Sequence, residues 1–334
     1  MTSALITGAS GLVGSHLVER LTRDGWHLRA LVRNRARAAW LVSQSVELHD
    51  GDTQDASAFA RAANGVDVVF HCAAAITPRG GWEAYRAPNI DGTRNAVDAA
   101  ARTRARLLHL SSVAVYGPDG RYALSQESDL QELQPLLPIP DGAWYARSKR
   151  ESELLVMDAH RAGHVWATAV RPCVIYGPRD RQFVPRVARI LRLPLVPRIG
   201  AGRAVLAIVH ARSVADVAVR AATSEIAGGR AYNVTNDPPI TVSQFYEAAQ
   251  QGLGRRARWL PISGALAQGA MGGLGAALRA LRIPGSALLN ARSLDFLLAD
   301  NPFASERARR ELGWTSSVDS RAAVVEAFRV LASR

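Results

Sequence analysis

A chain of 334 residues with 48% hydrophobic and 21% charged residues can bury a sizeable core and reads as soluble and globular, either one large domain or a domain with a smaller lobe. Its net charge of +12 invites an anionic partner, but the arginines are spread along the chain, with only short alternations such as Arg102/Arg104/Arg106 and Arg255/Arg256/Arg258. Solvated faces rather than a nucleic-acid tract are expected. Cys72 and Cys173 fall at the ends of expected buried strands and read as reduced thiols of a cytoplasmic protein, not as a disulfide framework. No metal spacing emerges, since Gly163 should end the helix between His160 and His164.

The sequence opens in Ser3-Ala4-Leu5-Ile6-Thr7 with no basic leader, so no signal peptide is expected. Short apolar runs then alternate with longer helical patterns. Strands are predicted at 3–7, 27–33, 45–49, 66–72, 107–111 and 165–172, and helices at 12–24, 55–63, 90–103 and 143–162. That alternation predicts an α/β fold, a doubly wound parallel sheet with helices on both faces.

The first strand runs into Gly8-Ala9-Ser10-Gly11-Leu12-Val13-Gly14, where glycines three apart permit a tight turn, close approach of a pyrophosphate and close helix packing. A dinucleotide is therefore expected over Gly8, Ser10, Gly11, Leu12, Val13 and Gly14. The second strand ends without the acid that an NAD site uses for its ribose; Arg33 stands there instead and can pair with a 2′-phosphate. NADP(H) is thus preferred, with NAD(H) as the alternative. Asp52, followed by Thr53, is placed for the adenine, and the small residues Ala73, Ala74 and Ala75 let the cofactor lie across the end of the fourth strand.

Residues 107–111 lead into Ser112, a hydroxyl at a strand's carboxyl end, where ligands of open α/β sheets bind. Tyr145 and Lys149, four apart, share a helix face. Lys149 is also the only lysine in the chain, so its position demands a compact ammonium rather than a guanidinium. A cation beside a phenol makes tyrosine a usable acid or base by lowering its pKa.

Taken together, Thr7-Gly8-x-x-Gly11-x-x-Gly14, Ser112 with Val115-Tyr116-Gly117, and Tyr145-x-x-x-Lys149 resemble the extended short-chain dehydrogenase/reductase superfamily. The chain is similar to its NAD-dependent epimerase/dehydratase and 3β-hydroxysteroid dehydrogenase-like groups. The likeness continues through Asn89-Ile90-Asp91-Gly92-Thr93, Arg171-Pro172-Cys173-Val174-Ile175-Tyr176-Gly177-Pro178, Tyr232-Asn233-Val234 and Glu311-Leu312-Gly313-Trp314. It implies a Rossmann-type sheet, a catalytic set of Ser112, Tyr145 and Lys149, and a nicotinamide side lined by Pro172, Cys173 and Val174. It also implies support of the active-site helix by Asn89. Arg33-Asn34 is similar to dihydroflavonol reductase-like members that use NADPH. His210-Ala211-Arg212-Ser213 departs from the usual acidic run, and residues 134–140 form a proline-rich insert that reads as a loop shaping access.

The cofactor domain is expected over 1–178, with a returning segment at about 205–235, and a smaller, mainly helical C-terminal substrate lobe over 179–204 and 236–334. Residues 261–278 carry no charge, but glycine, alanine, serine and glutamine dominate them; they fail as a membrane span and read as a helical wall beside an apolar pocket. The expected function is NADPH-dependent reduction of a hydrophobic small-molecule ketone or aldehyde. A sugar-nucleotide epimerase/dehydratase with bound NAD, and a non-catalytic cofactor-sensing or nucleic-acid-binding relative, are the alternatives. A homodimer is permitted but not required.

Overall fold

The computed structural model describes residues 2–76, 80–117, 132, 136–236, 238–280 and 294–333. Continuous apolar runs make the centre of the sheet. In β1 (Ser3–Thr7), Ala4, Leu5 and Ile6 are all fully buried, as a strand covered on both faces requires. Six more strands complete one parallel sheet with it: β2 (His27–Val32), β3 (Glu47–Asp50), β4 (Val68–His71), β5 (Arg106–Leu110), β6 (Ala167–Pro172) and β10 (Ala231–Val234). The order is β10-β6-β5-β4-β1-β2-β3. Chain direction along the sheet reverses between β1 and β4, which opens a crevice at their carboxyl ends.

Alternate side chains of each strand feed opposite layers. Ala4, Ile6, Phe70 and Leu108 pack with α1 (Leu12–Arg23) and α8 (Ala211–Thr223). Leu5, Val69 and Leu107 pack with α3 (Ala56–Ala63), α5 (Gly92–Thr103) and α6 (Trp144–Arg161). α1 meets the sheet through Val13, Leu17, Val18 and Leu21, spaced by three and four residues as a helical stripe must be. Short helices α2 (Ala39–Ser43) and α4 (Glu83–Arg86) fill the connections.

A separate core gathers α7 (Phe183–Leu191), α9 (Val242–Leu253) and α13 (Ser320–Ala332) around Phe245 and Phe328. Two parallel ribbons accompany it, β7 (Val174–Tyr176) with β9 (Ile208–His210), and β8 (Val196–Ile199) with β11 (Trp259–Ile262). α10 (Gly264–Ala280) and α11 (Asp295–Leu298) follow β11. By contrast α12 (Glu306–Leu312) and Trp314 join the sheet-side core, so the segment after residue 236 contributes to both cores.

Most boundaries move by one or two residues from expectation, for local reasons. The third strand starts at Glu47 because Ser45 takes a left-handed φ of 58. A π turn over Ala87–Asp91 containing Pro88, which lacks an N–H, precedes α5. Pro261 and Ile262, expected to be helical, are strand residues paired with Arg198 and Ile199; the helix begins after Ser263, whose hydroxyl accepts from Leu266 N–H at 3.1 Å. Gln134 and Pro135 of the insert lie outside the described residues.

Candidate active site

The glycine turn packs too closely on neighbouring backbone to admit side chains. Gly8 adopts φ 69, and a Cβ there would lie 2.9 Å from Ala73 N; a Cβ on Gly14 would lie 2.2 Å from Gly8 O. Gly11 N–H donates to Gly8 O at 2.8 Å. α1 then begins with no side-chain cap and no acid in its first turn. Its N-terminal amides and the positive end of its dipole are left for an anion. Ser10 and Leu12 are partly exposed beside them, whereas Val13 and Gly14 are buried under the turn. These residues fit a dinucleotide pyrophosphate.

At the far end, Arg33 follows β2 and Asp52 follows β3, and the sheet brings their side chains to 3.6 Å. Arg33 is 79% exposed, so its guanidinium is available to a ligand. Asp52 also accepts from Gln54 N–H at 3.0 Å, and Thr53 carbonyl accepts from Asn95, which ties this turn to α5. Of the neighbouring arginines, Arg35 is already engaged with Asp50 at 2.8 Å.

Residues 73–75 leave β4 beside the glycine turn: Ala73 N–H donates to Thr7 Oγ1 at 3.2 Å. Asn89 secures their other end. Its Oδ1 accepts from Ala75 N–H at 2.7 Å, and its Nδ2 donates to Ala75 O and to Ser148 Oγ, each at 2.9 Å. Asn89 therefore joins the cofactor-facing loop to the helix that carries Tyr145 and Lys149.

Ser112, extended at φ −165, caps the short turn Val113–Tyr116 by accepting from Ala114 N–H at 3.1 Å. Its hydroxyl also acts on the Tyr145 phenol. One turn on, Lys149 is 4% exposed and Nζ donates to Leu110 O at 2.8 Å. The ends of β5 and α6 thus bring Ser112, Tyr145 and Lys149 to one place. Burial raises the Tyr145 phenol, and the Ser112 hydroxyl offsets only part of this. Lys149 is not among the groups that shift it, and its ammonium is directed to Leu110 O, with Glu153 as the carboxylate acting on it. Burial brings Lys149 itself down to about 8.

β6 ends in Pro172, buried with Cys173, and Val174 emerges 39% exposed at the start of β7. Burial pushes both thiols, Cys72 and Cys173, up to about 12, which makes them unreactive packing groups. Among the described residues no group of three or more His, Cys, Asp or Glu is arranged for a metal.

A polar network behind the site escapes sequence reasoning. Glu153, four residues past Lys149, holds Arg171 through Nε at 3.0 Å, both nearly fully buried. Arg171 donates to Tyr116 Oη at 2.8 Å, and Tyr116 donates to Asn233 Oδ1 at 3.1 Å. His71, bonded to Thr7 and Thr93, stacks on His109 at 5.8 Å, which contacts Ser152. Burial holds both imidazoles far below their ordinary pKa and therefore neutral. The available signal is the buried stripe of α6 itself: Ser148, Lys149, Ser152 and Glu153 are polar where a helix against a sheet is ordinarily apolar. At the family departure, His210 takes over the cap of α8, accepting from Arg212 N–H at 3.2 Å.

Comparison with known proteins agrees with this geometry. The chain is 29% identical over 317 residues to a 4-hydroxy-2-methyl-3-oxo-4-farnesyl-3,4-dihydroquinoline-1-oxide ketoreductase of Stigmatella aurantiaca, covering 94% of this chain and 92% of that one. It is 31% identical over 268 residues to a ceramide reductase of Caulobacter vibrioides, covering 80% and 76%. Among solved structures, that of gox2253 superposes with a TM-score of 0.75 at 26% identity, over 98% of this chain and 97% of that one. The sequence profile of the NAD dependent epimerase/dehydratase family matches residues 4–235, and the chain belongs to that family as an enzyme of the extended short-chain dehydrogenase/reductase type.

Proposed function

We propose that the chain is an NADPH-dependent reductase of a ketone or aldehyde on a hydrophobic small molecule, working through Ser112, Tyr145 and Lys149. The observation that carries this is the hydroxyl pair Ser112–Tyr145 at the crevice, with a buried ammonium one turn away. The cofactor, when bound, supplies the hydride. Ser112 orients the carbonyl oxygen, and Tyr145, kept protonated by burial, donates the proton to it. Lys149 is the buried cation one turn from Tyr145 and the group to hold the nicotinamide ribose. Gly8, Gly11 and Gly14 hold the pyrophosphate; Arg33 takes the 2′-phosphate, since no acid occupies that strand end; Asp52 and Thr53 meet the adenine. Residues 73–75 and Pro172, Cys173 and Val174 line the remainder. The substrate is taken on the side of the lobe over 179–204 and 236–334. Support for an apolar substrate comes from relatives named as reductases of a farnesyl compound and of ceramide.

The test is oxidation of NADPH and NADH against apolar ketones and aldehydes, with nucleotide sugars in parallel. Turnover of NADPH with an apolar carbonyl is expected. Arg33→Asp should raise the KM for NADPH by ~10–100-fold, the loss of a charge-assisted contact, while moving that for NADH little. Interconversion of a nucleotide sugar without carbonyl-dependent oxidation would sink the proposal, and equal effects on both cofactors would remove Arg33 from the phosphate site.

A further inference from the structure

The outer side of the β8/β11 ribbon and of α10 is unlike the rest of the surface. Leu195 and Leu260 are 56% and 47% exposed, and Leu266 and Leu274 are 67% and 52% exposed. On α10 the exposed positions Ala265, Leu266, Gly269, Ala270, Gly273 and Leu274 recur with helical spacing and include no polar side chain. The ribbon and helix are contiguous: Gly200 N–H donates to Ile262 O at 2.9 Å, and Leu298 packs against both Gly200 and Gly264.

Within the segments that build this apolar face, charge has one sign. Between residues 181 and 215, and again between 248 and 294, the sequence has no aspartate or glutamate. Arg189, Arg192, Arg198, Arg255, Arg256 and Arg258 are all exposed in these segments. Among the described residues none of these guanidiniums forms an ion pair, although Arg20, Arg29, Arg35 and Arg86 elsewhere all do.

We infer that this face of the lobe docks on an anionic phospholipid bilayer, the leucines entering the acyl boundary and the arginines meeting the headgroups. Exposed apolar side chains interleaved with unpaired cations are what an interfacial surface needs. A second copy of the chain would bring the same positive charge and be repelled. A nucleic acid would use the arginines but leave the leucines in water. The docking is separate from the proposed reaction and is read without turnover.

The test is cosedimentation of the full chain with sucrose-loaded vesicles of phosphatidylcholine, with and without phosphatidylglycerol, at low and high salt. Binding to the anionic vesicles, at least ~10-fold stronger than to the neutral ones and weakened by salt, is expected. Arg198→Glu with Arg258→Glu should weaken it on the order of 10–100-fold. Leu260→Asp with Leu266→Asp should abolish it, with circular dichroism and thermal melting checking that each variant folds. Absence of binding to anionic vesicles, or binding unchanged in both double variants, overturns the inference. So does binding that survives the leucine changes and is displaced by a polyribonucleotide, which would mark a nucleic-acid surface instead.

Discussion

In the sheet domain Arg171 is gripped by Glu153 and Tyr116 and Arg35 lies 2.8 Å from Asp50; in the lobe Arg189, Arg192, Arg198 and Arg258 are exposed and unpaired among the described residues. The same residue type therefore does different work according to the carboxylates around it. Where acids are supplied, arginine locks elements together and carries little field beyond them; where they are lacking, its charge remains available to a partner. The apolar side chains divide likewise. Leu5, Leu17 and Leu107 fill close-packed layers, whereas Leu260 and Leu266 project into solvent.

The largest expected effect falls on chemistry in the sheet domain. Tyr145→Phe removes the proposed proton donor and should lower kcat by ~10²–10⁴-fold, with cofactor binding by fluorescence nearly intact. A fully active variant would refute the assignment of the acid.

Stability should separate the two regions next. Glu153→Ala leaves the Arg171 guanidinium buried without its carboxylate and should cost about 3–5 kcal/mol in urea unfolding. Arg198→Ala in the lobe should stay within ~0.5 kcal/mol of the wild type. Similar losses in both would erase the distinction between a locked and a free arginine.

The smallest effect is a pH limb. Lys149, brought down to about 8 by burial, is an ammonium below that pH and an amine above it. Reduction should therefore decline by about tenfold per pH unit on an alkaline limb near 8. Lys149→Arg keeps its charge and should lose that limb while working at a lower plateau; if the limb persists, Lys149 is not its source. Stability has its own sign. An unfolded lysine holds its proton to ~10.4, so between the two values the unfolded chain binds more protons and stability rises with pH.

Much of the sheet was legible because its evidence is local. The apolar runs of β1, β4 and β5, the glycines at 8, 11 and 14, and the stripe of α1 each state their geometry within a few residues. The single lysine at 149 singled out α6, the helix of the proposed chemistry, for the same reason. The partnership of Glu153 with Arg171, and the reach of Asn89 from Ala75 to Ser148, were not legible, since each joins residues far apart in the chain through a strand order that no local pattern states.

By itself the sequence determined the alternation of strands and helices, the phosphate-shaped turn and the residue types offered for chemistry, because these follow from side-chain periodicity and backbone freedom. Tertiary structure alone decided which polar groups were desolvated together, that Lys149 addresses Leu110 O, and that helix α10 turns Leu266 and Leu274 outward. Burial and pairing depend on what the fold places opposite each residue, and that is not written beside it in the chain.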